Sequence, residues 1–103
     1  MSPMIKVSAL YGHPADPAAF ERHYHPVHMP IAAKMPNLMR YETALFLPNP
    51  DGSKPAYYRI FEAWYESAEM MQGSMASPEG QATVADLANF ASGGVTILVS
   101  QVD

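Results

Sequence analysis

The chain has no cysteine, which excludes disulfides, thiolate metal sites, iron–sulfur clusters and a cysteine nucleophile. Charge is also scarce. Only 16% of the residues are Asp, Glu, Lys or Arg, six of them basic against ten acidic, for a net charge of −4. Six Lys and Arg spread singly give no cationic stripe to set against phosphate, so nucleic acid and anionic membrane surfaces are excluded as partners. No apolar run approaches the ~20 residues that cross a bilayer. Met1-Ser2-Pro3-Met4-Ile5-Lys6 lacks the basic start and long apolar stretch of a signal peptide, so a cytoplasmic location is expected. The chain also lacks any Gly-x-Gly-x-x-Gly, P-loop or Gly-x-Ser-x-Gly element, which argues against nucleotide or nicotinamide cofactors and serine hydrolase chemistry.

What is present is a chain of 103 residues, 49% hydrophobic and 11% aromatic. That is the size of one domain and too apolar to stay disordered. Ile5, Val7, Ala9 and Tyr11 recur at period two and predict a first strand. Asp16-Pro17 supplies an N-cap acceptor and a proline at the first helical position. Phe20, Tyr24 and Val27 follow at helical spacing, but Pro26 and Pro30 predict a kink or break over residues 25 to 30, with a short helical piece over Ile31 to Lys34. A second strand is expected from Met39 to Leu47, a Pro-Asp-Gly hairpin loop near Asp51, and an aromatic third strand from Ala56 to Tyr65. Ser67 caps a second helical region, interrupted near Gly73 and restarted at Ser77-Pro78, whose Val84, Leu87, Ala88 and Ala91 form an amphipathic face. Val95 to Val102 reads as a fourth strand. The order β-α-β-β-α-β is the ferredoxin-like arrangement of an α+β fold. Strands two, three and four carry apolar or aromatic residues on both faces. The sheet face that the helices leave open should therefore be buried too, which predicts a homodimer.

Phe20-Glu21-Arg22-His23-Tyr24-His25-Pro26-Val27-His28-Met29-Pro30, Phe61-Glu62-Ala63-Trp64-Tyr65-Glu66-Ser67, Ser77-Pro78-Glu79-Gly80-Gln81 and Ala85-Asp86-Leu87-Ala88-Asn89-Phe90 together span most of the chain. Across them it resembles the EthD family, named for ethyl tert-butyl ether degradation. The resemblance implies a dimeric α+β barrel in which the open faces of two ferredoxin-like sheets meet around an internal cavity. It places the family's His-x-Pro element on His28-Met29-Pro30, its third-strand acid on Glu62 and its late helical aspartate on Asp86. It also implies a role in oxidative catabolism, as an oxidoreductase or its accessory. Similar small barrels include cofactor-free monooxygenases, decarboxylases and lactone isomerases, so the site has to choose the reaction.

His23, His25 and His28 form His-x-His-x-x-His, but on a helix His23 and His25 stand about 200° apart, and no His-Glu-x-x-His pattern is present. A metal site is not expected. His28, set between two prolines, is the candidate general acid or base, because imidazole exchanges a proton near neutral pH. The alternative is that it bonds a carbonyl freed by the kink. Glu62 is the second candidate, a carboxyl in a row with Tyr58, Ile60 and Trp64; its alternative is a pair with Arg40, Arg59 or a tyrosine hydroxyl. Asp86 is expected to cap or pair, and His13, His23 and His25 to be exposed. Tyr11, Tyr24, Met39, Tyr41, Tyr58, Phe61 and Trp64 are the candidate lining of a pocket for a small apolar or aromatic ligand. The leading reading is a cofactor-independent oxidoreductase or accessory protein. The alternatives are a lyase or isomerase of polyketide-like or lactone substrates, and a ligand-binding barrel without turnover.

Overall fold

A computed structural model describes residues 4–103. Its four strands, β1 (Ile5–Tyr11), β2 (Arg40–Leu45), β3 (Arg59–Tyr65) and β4 (Val95–Gln101), form one antiparallel sheet in the order β2-β3-β1-β4. With helices between β1 and β2 and between β3 and β4, this is the ferredoxin-like α+β fold. The expected bounds of β1 hold, whereas β2, β3 and β4 are shorter than the apolar runs that announced them. Ala56 and Tyr57 precede β3, because Tyr58 N–H donates to the Tyr11 carbonyl at the sheet's end and pairing with β2 begins at Arg59.

Helix α1 (Pro17–His23) starts as the sequence predicts: Asp16 is its N-cap, accepting from the Ala19 N–H, and Pro17 stands in the first turn. The prolines do not break it. The helix widens into a π turn over Tyr24–His28, in which Met29 N–H reaches back to the Tyr24 carbonyl, and continues as α2 (Met29–Ala32). A π turn absorbs the extra residue and shifts the registry of every side chain beyond it. Helix α3 (Ala68–Ala76) is capped by Ser67 and runs unbroken through Gly73, contrary to the expected interruption there. The real break is Ser77. Its hydroxyl donates to the Ser74 carbonyl and accepts from the Gly80 N–H, ending α3 and capping α4 (Pro78–Asp86) in one residue. A 3₁₀ turn over Leu87–Asn89 leads towards Gly94, which has φ +85° and starts the return to β4.

The β1–β3 register pairs Val7 with Ala63, Ala9 with Phe61 and Tyr11 with Arg59. These residues share the sheet face packed under the helices, where Tyr11 meets Phe20 and Tyr24 edge-on at 5.4 and 5.7 Å and Phe90 closes the cluster. Such pairs add about 0.5–1.5 kcal/mol each beyond the area buried. Lys6, Ser8, Leu10, Ile60, Glu62, Trp64 and Leu98 fall on the other face. No helix among the described residues is long and apolar enough to cross a membrane.

Candidate functional site

The wide turn positions His28 against the late part of α4. His28 is 3% exposed and Asp86 is 8% exposed, and His28 Nδ1 lies 2.9 Å from Asp86 Oδ2. A carboxylate only accepts, so Nδ1 carries the proton and Nε2 keeps its lone pair. Nε2 makes no hydrogen bond among the described residues. Asp86 also accepts from His23 Nε2 at 2.9 Å on both oxygens and from Asn89 Nδ2 at 2.9 Å. Burial pushes the Asp86 carboxyl up, but the hydrogen bonds from Asn89, His23 and His28 outweigh it and hold the group below its ordinary value. Burial pulls His28 below 6.5, more than the neighbouring Asp86 pulls it up. The pair is therefore a neutral imidazole on a charged carboxylate at pH 7, an oriented base with a built-in counter-ion.

The imidazole ring is clamped between Phe90, 4.6 Å away, and Tyr24, stacked at 5.8 Å. Tyr24 is fixed in turn: its hydroxyl shares a 2.7 Å hydrogen bond with Thr43, and the Arg59 guanidinium lies 5.0 Å from its ring centre. Arg59 is itself buried, and donates to Glu21 Oε1 at 2.7 Å and to Thr43 at 3.2 Å. This second polar group holds the aromatic wall behind His28.

His28 lines a cavity of about 50 Å³ between the helices and the sheet. Val7, Ala9, Tyr11, Phe61, Ala63, Tyr65 and Ile97 form its sheet side, and Met35, Met75, Gly80, Thr83, Val84 and Leu87 its helical side. At about 10–15 Å³ for each water-sized position, it has room for a few such positions, about a third of a cavity that holds benzene. Two larger hollows are open and less apolar, one beside Asp16 and Asn89, the other along Glu42 and Glu62. Neither touches His28.

Several expectations are corrected by this geometry. Glu62 does not meet His28; it is on the opposite face of the sheet, and its partner is Lys6, 2.9 Å away, rather than Arg40, Arg59 or a tyrosine. Alternation along β3 forces this, since Phe61 faces the cavity and Glu62 cannot. Of the proposed lining residues, Tyr11 and Phe61 border the cavity. Trp64 is on the Glu62 face beneath Arg40, whose guanidinium lies 3.9 Å from the ring centre. Met39 and Tyr41 are exposed, Tyr58 packs on Phe20, and Tyr24 supports His28 from behind. The cavity beside His28 is on the helix-covered side of the sheet and is distinct from the one between two open sheet faces that the resemblance implies. His13 and His23 are half-buried rather than exposed, the former bonded to the Pro55 carbonyl. The bonds that His23 and His28 make to Asp86 are not visible in the sequence because 63 and 58 residues separate the partners. Among the described residues, no group of three or more His, Asp or Glu side chains is arranged to hold a metal ion.

The chain as a whole is similar to known proteins. An uncharacterized 11.0 kDa protein in the thcB-thcC intergenic region of Rhodococcus erythropolis is 43% identical over 95 residues, covering 92% of this chain and 91% of that protein. The crystal structure of an ethyl tert-butyl ether degradation (EthD) family protein from Bacillus halodurans C-125 superposes with a TM-score of 0.91 at 31% identity, covering 97% of this chain and 99% of that one. A dimeric ferredoxin-like protein of unknown function from Thermobifida fusca YX shares the fold, with a TM-score of 0.73 at 16% identity over 99% of this chain and 93% of that one. The EthD domain model matches residues 12–94, a span that holds His23, His28, Asp86 and most of the cavity wall. By fold, by sequence and by the extent of that match, the chain belongs to the EthD family.

Proposed function

We propose that the chain is a homodimeric, cofactor-independent oxidoreductase of oxidative catabolism in the cytoplasm, acting on a small apolar or aromatic compound held in the cavity under the helices. The observation that carries this reading is the buried His28–Asp86 pair facing an otherwise apolar wall. His28 Nε2 takes a proton from the substrate carbon, and the Asp86 carboxylate offsets the imidazolium that forms. The electron pair left on the substrate forms a carbon–oxygen bond to dioxygen, and the resulting peroxide recovers the proton from His28, so substrate and dioxygen combine as a hydroperoxide. The same base also suits a lyase or isomerase, because proton transfer is the one step these residues perform unaided.

The homodimer is supported by the uncovered sheet face, on which Leu98 is 52% exposed beside Leu10 and Ile60, and by the dimeric state in which the Thermobifida fusca protein is described. An obligate interface of this kind buries about 2,000 Å² or more. Mass spectrometry of small molecules retained by the purified protein identifies the ligand, and turnover of that compound with and without dioxygen tests the reaction. Oxidised product formed only with dioxygen is expected. Anaerobic turnover would instead assign the lyase or isomerase reading, and tight binding without turnover would leave a ligand-binding protein.

A further inference from the structure

Asp86 carries one negative charge, and two imidazoles share it. His28 Nδ1 and His23 Nε2 each lie 2.9 Å from Asp86 Oδ2, so the two nitrogens are no more than about 6 Å apart, within the range at which one positive charge disfavours a second. The rings differ in their access to water: the His23 side chain is 26% exposed and that of His28 4%. Phe90 packs on both, stacked on His23 at 5.2 Å and tilted against His28 at 4.6 Å. His23 donates through Nε2, so its lone pair is on Nδ1, which makes no hydrogen bond among the described residues. A proton arriving from water therefore adds to His23 at Nδ1 and leaves its bonds to Asp86 in place. A tie between α1 and α4 would need only a neutral donor at this position, whereas the residue present is a titratable ring, partly open to solvent, on the counter-ion of a buried base.

We propose that His23 is a positioning residue for the reaction, acting on His28 through the carboxylate they share: neutral, it leaves the Asp86 charge to His28, and protonated, it takes that charge for itself. This rests on His28 acting as the base. Solvation sets the order, since a cation costs less on the ring that water reaches than on the one enclosed by Phe90 and Tyr24. On acidification His23 takes its proton first, from water, and becomes the charged partner of Asp86. A proton then added to His28, from water or from a substrate, would leave two cations on one anion in the interior, so Nε2 weakens as a base before it is itself protonated. Burial is the larger cause that holds His28 below its ordinary value, and the charge of His23 acts in the same direction. The other ionisable groups nearby do not take this part. Burial raises the Tyr11 and Tyr24 hydroxyls and keeps them neutral. Arg59 and Glu21 are bonded to each other beside Tyr24. His25 is 3.4 Å from Glu21 rather than on Asp86, and Arg22 is exposed.

Long-range proton–nitrogen correlation through a pH series of the intact protein reads the titration and the tautomer of each ring. In the wild-type protein His23 is expected to take its proton before His28. His23→Gln keeps a donor facing Asp86 and removes the titratable ring. In that variant the His28 curve should move to higher pH with the Nδ1–H tautomer kept, a rise in proton affinity of about tenfold for two charges about 6 Å apart of which one is partly solvated. A residue that only ties α1 to α4 would leave the curve where it was. His25→Gln, which removes a more exposed imidazole that does not touch Asp86, should also leave it there. A His28 curve unmoved by His23→Gln, a shift accompanied by loss of the Nδ1–H tautomer, an equal shift in His25→Gln, His28 titrating ahead of His23, or no titration of His28 in either protein would each overturn the assignment. The same spectra judge the base reading separately. A proton on Nε2 of wild-type His28 would remove both, whereas an Nδ1–H tautomer with a curve indifferent to His23 would remove the part of His23 and leave the base.

Discussion

Asparagine at position 86 would keep the shape of the side chain and delete its charge. Asp86 accepts from His28 Nδ1 and His23 Nε2, and from Asn89 Nδ2, each at 2.9 Å. A carboxylate serves all three. An amide offers one accepting oxygen and sets an NH₂ where the other oxygen stood: with the oxygen in the Oδ2 place it still accepts from both histidines but meets the Asn89 amide with a donor, and turned the other way it meets His28 Nδ1 with a donor. Hydrogen bonds to a charged group contribute about 1.5–3 kcal/mol and neutral ones about 0.5–1.5 kcal/mol. Losing the charge across two histidine bonds, one of them to the partly solvated His23, therefore costs about 2 kcal/mol. Urea unfolding at matched protein concentration measures that cost, and long-range proton–nitrogen correlation reads the His28 tautomer directly. The wild-type protein should show a protonated Nδ1 and a bare Nε2. In Asp86→Asn the His28 pKa should fall further, because Asp86 is the neighbour that raises it. A variant within about 0.5 kcal/mol of wild type, with His28 tautomer and titration unchanged, would refute the claim that Asp86 sets the state of His28.

Acid should weaken the protein in two stages. The folded His28 pKa lies below its free value of 6.5, so the unfolded chain takes up the proton first; stability is full above pH 6.5 and declines as pH falls through the folded value. Asp86, also lowered, adds a second loss starting near 3.8. His28→Gln should abolish the first stage in a pH series of denaturant melts, and an unaltered series would place the titration elsewhere. Leu98→Lys puts a charge on the uncovered sheet face, midway along its edge strand β4, and should yield a monomer by sedimentation at micromolar concentration; a dimer of unchanged affinity would mean that another surface is used. Gly80→Ala should cost about 1–3 kcal/mol, since the added methyl would strike the Ser74 and Met75 carbonyls where α4 crosses the end of α3. Unchanged melting would show that this junction yields.

The chain's punctuation was legible because it is local chemistry. Asp16-Pro17, Ser67 and Ser77-Pro78 each cap the helix that their residue types announce. Pro26 and Pro30 were visible as a disturbance, but whether a helix breaks or widens depends on what holds its ends together. Here Tyr24, Phe20 and Phe90 pack continuously across the turn, so breaking the helix would disassemble the core cluster, and the extra residue is absorbed in a π turn instead. Gly73 was overread for a related reason. Glycine costs a helix roughly 1 kcal/mol, which the Tyr65–Ser74 hydrogen bond and the packing of Met71 on the Val7, Ala63 and Tyr65 cluster can offset.

The misplacement of Glu62 has a deeper cause. Period two states which residues share a face, and β3 offers two rows, Ile60-Glu62-Trp64 and Phe61-Ala63-Tyr65, that both look fit for a core. Nothing within β3 says which row the helices cover. The answer comes from β1, whose rows are unequal: Val7, Ala9 and Tyr11 are apolar, whereas Lys6 and Ser8 are polar. Once the register pairs Ser8 with Glu62 and Ala9 with Phe61, the Glu62 row belongs with Lys6 on the uncovered face. The same pairing makes the cavity. Ala9 and Ala63 are the small members of their rows, set diagonally on adjacent strands beneath Gly80 and Val84 of α4, so no side chain from the sheet fills the space in front of His28. Gly80 is explained by the α3 carbonyls it touches; larger residues at Ala9 or Ala63 would fill the void, and two alanines set where an oriented histidine opens fit a site for a small ligand.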